Sequence, residues 1–259
     1  AGLDPEKSAI FVQSDVRELA DMHILFSMIT PLSWLERVPT YKDQVNQFAN
    51  GGKDIMTYGF LGYPLLMAAD ILLYRAFGVP VGEDQLPHIE FCRELARRFN
   101  YLYKKQVFPE PQALLSKIKQ LPGLDGRKMS KSYDNYIILG ADQKEIEQRV
   151  RQMLTDPARI RKDDLGHPEV CMVYTYHKIY NPEEQAEIKC ECEKGGIGCV
   201  ACKKRLAAKL NEYMEPIRER REHFAGKPQQ VQEILQDGQQ KASRKAAETL
   251  ALVRDAMGM

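Results

Sequence analysis

The sequence predicts an α/β fold, a parallel sheet covered by helices, followed by an all-helical part. Three observations predict it. Short apolar runs at residues 10–13 and 79–81 each end in a turn and lead into helical spacing, the strand–turn–helix order of α/β folds. Strand signals then stop beyond Asp142, where apolar residues recur only with helical spacing. The composition shifts near Gly140, which sets the expected domains at residues 1–140 and 141–259.

The elements follow in order. Ile10-Phe11-Val12-Gln13 reads as a buried strand, and Ser14-Asp15 as the cap and acidic first turn of a helix that runs to Ile29 and is broken by Pro31. Asn50-Gly51-Gly52 marks a loop. Residues 64–77 form a strongly apolar helix closed by Gly78. Val79-Pro80-Val81 is a second short strand, Gly82-Glu83-Asp84-Gln85 a turn at its carboxyl end, and a helix follows through Phe99. Residues 121–127 are a loop by their Pro, Gly and Asp content. Helices are expected at 146–154, 171–180, 183–189, 203–224, 231–235 and 241–257. Parallel sheets bind ligands beyond the carboxyl ends of their strands, so the turns at Gly82 and after Gln13 are placed at a cleft.

Bulk properties bound the function. The 259 residues are 44 % apolar and 28 % charged, as in a globular protein with one large or two ordinary domains. No apolar run approaches the roughly 20 residues of a membrane span, and no leader pattern opens the chain, so a cytoplasmic protein without a membrane partner is expected. The net charge of +1 neither demands nor excludes nucleic acid. Basic residues do cluster in the second half: Arg149, Arg151, Arg159, Arg161 and Lys162; Lys203, Lys204, Arg205 and Lys209; Arg218, Arg220 and Arg221. Solvated helix faces explain any one cluster; three together make an acidic polymer a plausible partner.

Four strings carry chemistry. In Lys128-Met129-Ser130-Lys131-Ser132 two lysines stand three apart on a loop. As compact point charges they suit phosphate oxygens and could stabilise charge on departing pyrophosphate. An exposed basic turn is the ordinary alternative. Gly82, Glu83, Asp84 and Gln85 offer a close backbone approach, acceptors and an amide, although acidic caps are common. Asp70 is one carboxylate within a long apolar helix, costly to bury without a partner. Finally, four of the six cysteines fall between positions 190 and 202, and in a reducing cell Cys192-x6-Cys199-x2-Cys202 with Cys171 suggests metal more than disulfide. Four thiolates can hold zinc or a [4Fe–4S] cluster; four unligated core cysteines are the plainer reading.

These strings resemble the class I aminoacyl-tRNA synthetases, in the tryptophanyl branch. Residues 128–132 match the signature loop of the class, Gly82 to Gln85 resemble its ATP-binding turn, and Tyr63-Pro64-Leu65-Leu66-Met67-Ala68-Ala69-Asp70 resembles the tryptophan pocket. The similarity extends from Gly2-Leu3-Asp4-Pro5 to Ala256-Met257-Gly258. It implies a Rossmann-like nucleotide-binding domain followed by a helical anticodon-binding domain, with the last helix packing back on the first domain. The substrates would be L-tryptophan, Mg2+·ATP and tRNA(Trp), and the assembly a homodimer, with the helix around Tyr63 contributing to the contact. Asp70 would accept the indole N–H, Met67 would pack on the ring, and Tyr63 and Gln85 would hold the α-amino group. Gly82, Glu83, Asp84, the Leu121 backbone and residues 128–132 would bind ATP, with Lys128 and Lys131 catalytic. The cysteine spacing resembles an iron–sulphur subgroup, with Lys203 and Lys204 beside the tRNA. The His-x-Gly-His type motif of the class is not found in this sequence, so a fragment of a longer chain is expected, with its activity by itself left open. A tyrosyl-specific relative and a non-catalytic RNA-binding protein remain as alternatives.

Overall fold

The structure, a computed structural model, describes residues 2–38, 57–116 and 121–259. The loop expected at Asn50-Gly51-Gly52 lies outside them. The chain folds as two compact units. One gathers Asp4–Lys119 with Val231–Met259, the other Ala1–Leu3 with Gln120–Gln230.

In the first unit, α1 (Glu18–Ser27), α2 (Leu32–Glu36), α3 (Tyr58–Leu61), α4 (Tyr63–Leu73) and α5 (Leu86–Tyr103) accompany strands β1 (Gly78–Val81) and β2 (Gln112–Leu115). The strands are parallel, in register from Gly78 opposite Gln112 to Val81 opposite Leu115, with α5 as the crossover. This is the α/β arrangement expected. Buried Asn100 near the end of α5 turns the chain back towards β2: its Oδ1 accepts the Val107 and Phe108 N–H groups at 2.9 and 3.1 Å, and its Nδ2 donates to Phe108 O at 2.8 Å. Leu65, Ala68, Ala69, Leu72 and Leu73 of α4 are buried, and α4 packs on α1 and α5. Phe26, Phe99 and Phe108 meet edge to face within the same core, with centroids 4.9 to 6.4 Å apart.

Three expectations need correction. Residues 10–12 have no ladder partner among the described residues, and Gln13–Asp15 is a 3-10 turn. Val12 is 45 % exposed; apolar side chains alone do not make a strand where no neighbouring backbone pairs. The apolar helix stops at Leu73, because Arg75 turns the chain with φ 51°. Gly78 is not its cap but the first residue of β1. A Cβ there would come within 2.9 Å of Leu114, so the missing side chain lets β2 pack close.

The two terminal helices expected at 231–235 and 241–257 are one, α10 (Pro228–Met257, numbered after the helices of the second unit). Gly238 does not break it. A Cβ at 238 would overlap the Ile10 backbone, so this glycine is a place of close approach inside a continuous helix.

The second unit holds α6 (Gln143–Gln152), α7 (Met172–Tyr180), α8 (Gln185–Glu193) and α9 (Cys199–Ala225). Asp142 caps α6, accepting the Glu145 N–H at 2.8 Å. Cys202, Leu206, Ala207, Leu210 and Met214 recur every three or four residues along α9, and this stripe is buried where α9 packs on α6 and α7.

Candidate active site

On α4, Tyr63, Met67 and Asp70 stand at i, i+4 and i+7, which places them on one helix face. Tyr63 is 51 % exposed, while Met67 and Asp70 are half-buried. The Asp70 carboxylate accepts from Gln13 Nε2 at 2.6 Å. Burial pushes the Asp70 carboxyl above the usual carboxylate range, and the Gln13 bond offsets part of that rise. Burial, and then the Asp70 and Glu18 carboxylates, push the Tyr74 phenol up to about 12. This face therefore offers a carboxylate acceptor at the edge of an apolar surface.

At the carboxyl end of β1, Glu83–Gln85 forms a 3-10 turn in which Gln85 N–H donates to Gly82 O at 3.0 Å. Gln85 Nε2 donates to Asp84 Oδ2, also at 3.0 Å, while Gly82, Glu83 and Asp84 are exposed. His88, only 2 % exposed, meets the Tyr63 ring edge-on at 5.8 Å and lies within electrostatic reach of Asp84. Burial holds His88 below the ordinary imidazole range. His88 thus ties the α4 face to the Gly82 turn, bringing Tyr63, Asp84 and Gln85 into one neighbourhood.

Residues 128–132 lie in the second unit, where buried Asn135 organises them. Its Oδ1 accepts the Ser130 N–H at 2.8 Å, and its Nδ2 donates to Lys128 O at 3.1 Å and to Asp125 Oδ1 at 2.7 Å. The Asn135 bond, followed by those from Arg127, pulls the Asp125 carboxyl down to about 2. Arg149 closes the far side with 2.7 and 3.1 Å bonds to the Asp134 carboxylate. Leu121 and Met129 are half-buried. The Lys128 and Lys131 side chains are exposed, and among the described residues neither pairs with a carboxylate. The Ser132 side chain lies outside the described structure.

Around the cysteines, no group of three or more His, Cys, Asp or Glu among the described residues could hold a metal ion. The structure therefore gives no support to the site expected at Cys171, Cys192, Cys199 and Cys202, whether for a [4Fe–4S] cluster or for zinc. Burial, and then the neighbouring Cys171 and Cys199, push the Cys192 thiol up, and burial with Cys171, Cys192 and Cys199 pushes Cys202 up to about 12. Arg159 Nη1 donates to Cys192 Sγ at 3.5 Å. Lys203 turns inward, giving its ammonium to Arg151 O at 2.7 Å, whereas Lys204 is exposed.

Sequence reasoning noted His88 after the Gly82 turn and Arg159 within a basic cluster without giving either a role of its own, and it did not single out Asn135. His88 and Asn135 lie close to strings that were recognised, but only burial and hydrogen bonding mark them as organisers.

Residues 1–215 match the family model of tRNA synthetases class I (W and Y). The chain is 52 % identical to Tryptophan--tRNA ligase of Thermotoga maritima, over 100 % of its own length and 78 % of that protein. It is 40 % identical to the Aquifex aeolicus protein of the same name, covering 82 % of it. A solved structure of Tryptophanyl-tRNA Synthetase from Campylobacter jejuni, complexed with ADP and tryptophan, superposes with a TM-score of 0.86 at 34 % identity, covering 100 % of this chain and 79 % of that one.

Proposed function

The chain belongs to the class I tRNA synthetases for tryptophan and tyrosine, and we infer that it is a tryptophan–tRNA ligase: it activates L-tryptophan with Mg2+·ATP and passes the acyl group to tRNA(Trp). The observation that carries this is the 52 % identity to a tryptophan–tRNA ligase along the whole of this chain.

The proposed division of roles rests on the geometry of each unit. In the first unit Asp70, oriented by Gln13, accepts the indole N–H. Indole is a donor only, so a carboxylate beside an apolar surface selects it. Met67 packs on the ring, and Tyr63 and Gln85 hold the amino group. Gly82, Glu83 and Asp84 bind ATP, with Asp84 placed to accept from its ribose hydroxyls. In the second unit Lys128 and Lys131, with Met129, Ser130, Ser132 and the Leu121 backbone, take adenine and phosphates. Their ammonium groups, which pair with no carboxylate among the described residues, are proposed to meet charge on leaving pyrophosphate, supported by the Asn135 scaffold. No side chain need act as nucleophile, and rate comes from positioning and charge stabilisation.

The helical unit is proposed to meet the tRNA, with exposed Lys204 rather than inward-turned Lys203 available to phosphate. A homodimer is proposed as well. The helix around Tyr63 is proposed to contribute to the contact through Tyr63, which is 51 % exposed. We also propose that Cys171, Cys192, Cys199 and Cys202 hold a [4Fe–4S] cluster. What supports this is the spacing Cys171-x20-Cys192-x6-Cys199-x2-Cys202, four thiolates of the kind that hold such a cluster. Its positive core would offset the mutual repulsion of the thiolates.

Tryptophan-dependent ATP–pyrophosphate exchange, with tyrosine as control, tests the main reading. Equilibrium binding of labelled tryptophan, with tyrosine as competitor, reports the pocket separately. Tryptophan bound and tyrosine excluded is the expected outcome; exchange with tyrosine, or no tryptophan binding, overturns it.

A further inference from the structure

Within the first unit, the start of α10 and residues 12–18 enclose a groove of about 810 Å3. Gln232, Gln236, Gln239 and Ser243 stand at i, i+4, i+7 and i+11 along α10, so one helix face presents a row of amides ending in a hydroxyl. The opposite wall carries Asp15, Arg17 and Glu18. Gln239 fixes the two walls: its Nε2 donates to Asp15 O, 224 residues away in sequence, and to Ser243 Oγ, each at 3.2 Å. Beside it the Ile10 backbone fills the place of a Cβ at 238. Gln232 and Gln236 are exposed, and among the described residues their amides make no hydrogen bond, while Asp15, Arg17 and Glu18 form no ion pair.

The chemistry of this lining is selective. A track for phosphates needs several cations. Among the described lining residues Arg17 is the one cation, and it stands beside two carboxylates. Base edges suit the groove better. Glutamine amides pair with the N6 amino group and N7 of adenine, and carboxylates accept from the N4 amino group of cytosine. Guanine and uracil carry carbonyl oxygens at the corresponding places, which carboxylates repel. The lining therefore fits unpaired adenine and cytosine, with Arg17 at hand for a linking phosphate. Unpaired ends are also where proteins read RNA bases.

Position narrows the choice of RNA. The groove begins at Val12 and Ser14, the two neighbours of Gln13, whose amide holds the Asp70 carboxylate at 2.6 Å. A tRNA must bring its terminal ribose to the tryptophan bound at Asp70, and every tRNA ends in an unpaired C-C-A. We propose, resting on the ligase reading above, that the groove between α10 and residues 12–18 receives the unpaired 3′ end of the tRNA and reads its cytosine and adenine edges through Gln232, Gln236, Asp15 and Glu18. Gln239 holds the walls and is a positioning residue.

The test uses the full chain as wild type, as the double variant Gln232→Ala with Gln236→Ala, and as Gln240→Ala, an exposed position of α10 outside the groove. Alanine at exposed helix positions leaves the helix intact. Three transcripts of tRNA(Trp) are bound at one salt concentration: intact, lacking the last three nucleotides, and ending in U-U-G. Wild type is expected to hold the intact RNA about ten-fold more tightly than either altered one, the value of one or two base-edge pairs. The double variant is expected to bind all three alike, and Gln240→Ala to behave as wild type. A double variant that keeps the wild-type preference overturns the proposal, as does an equal loss in Gln240→Ala. Binding of labelled tryptophan is measured in parallel. A chain that binds no tryptophan overturns the ligase reading. A wild type that binds tryptophan but holds the three RNAs equally, or none of them, overturns only the role of the groove.

Discussion

Gln13 and Asp70, 57 residues apart in sequence, are joined by a 2.6 Å hydrogen bond from the amide to the carboxylate. The bond fixes one carboxylate oxygen and leaves the other for a ligand. Asp70→Asn is therefore expected to weaken tryptophan binding about ten- to hundred-fold, the value of a hydrogen bond to a charged acceptor. The same change should not destabilise the fold. Burial holds the folded-state value of Asp70 above that of the unfolded chain, so ionised Asp70 costs stability once pH exceeds that window. Urea unfolding at neutral pH should give a midpoint for the Asn variant at or above wild type; a large drop would mean that Asp70 is structural.

Lys128→Ala and Lys131→Ala should each lower the pyrophosphate exchange rate by about 10²–10³, the range found for single charge-stabilising donors. Tryptophan binding measured without ATP should stay within two-fold of wild type, roughly 0.4 kcal/mol. Loss of binding in either variant would count against a role confined to phosphate.

Asn135→Ala leaves the Ser130 N–H and the Lys128 carbonyl without their bonds. A loss of about 1–3 kcal/mol is expected in urea unfolding, together with slowed exchange. A variant with full exchange activity would show that the loop keeps its shape without this side chain.

Gly238→Ala separates helix propensity from packing. In an exposed helix the change would stabilise by about 1 kcal/mol. Here the added Cβ meets the Ile10 backbone, so destabilisation of about 1–3 kcal/mol is expected instead. Thermal unfolding gives the sign directly.

His88 should make the protein acid-sensitive. Burial lowers its folded-state value below the ordinary 6.5. As pH falls through 6.5 the unfolded chain takes up a proton that the folded chain does not, so stability is lost from there downward. The urea midpoint should drop between pH 7.5 and 5.5 in the wild type and drop less in His88→Gln. Equal slopes for the two proteins would remove His88 as the cause.

The sequence alone determined the α/β class, the helical second half and the strings at residues 63–70, 82–85 and 128–132. These features are local, written in the spacing of apolar residues and in short runs of special residues within one element. The tertiary structure decided what depends on partners distant in sequence. β2 is too short to show a period and exists because the edge of β1 is there to pair with it. Residues 10–12 look like a strand yet have no such edge among the described residues. Gly238 looks like a helix break until the Ile10 backbone is found against it. Asn135 and Arg159 are ordinary letters in the sequence, and become organisers because burial removes the water that would otherwise satisfy their polar groups.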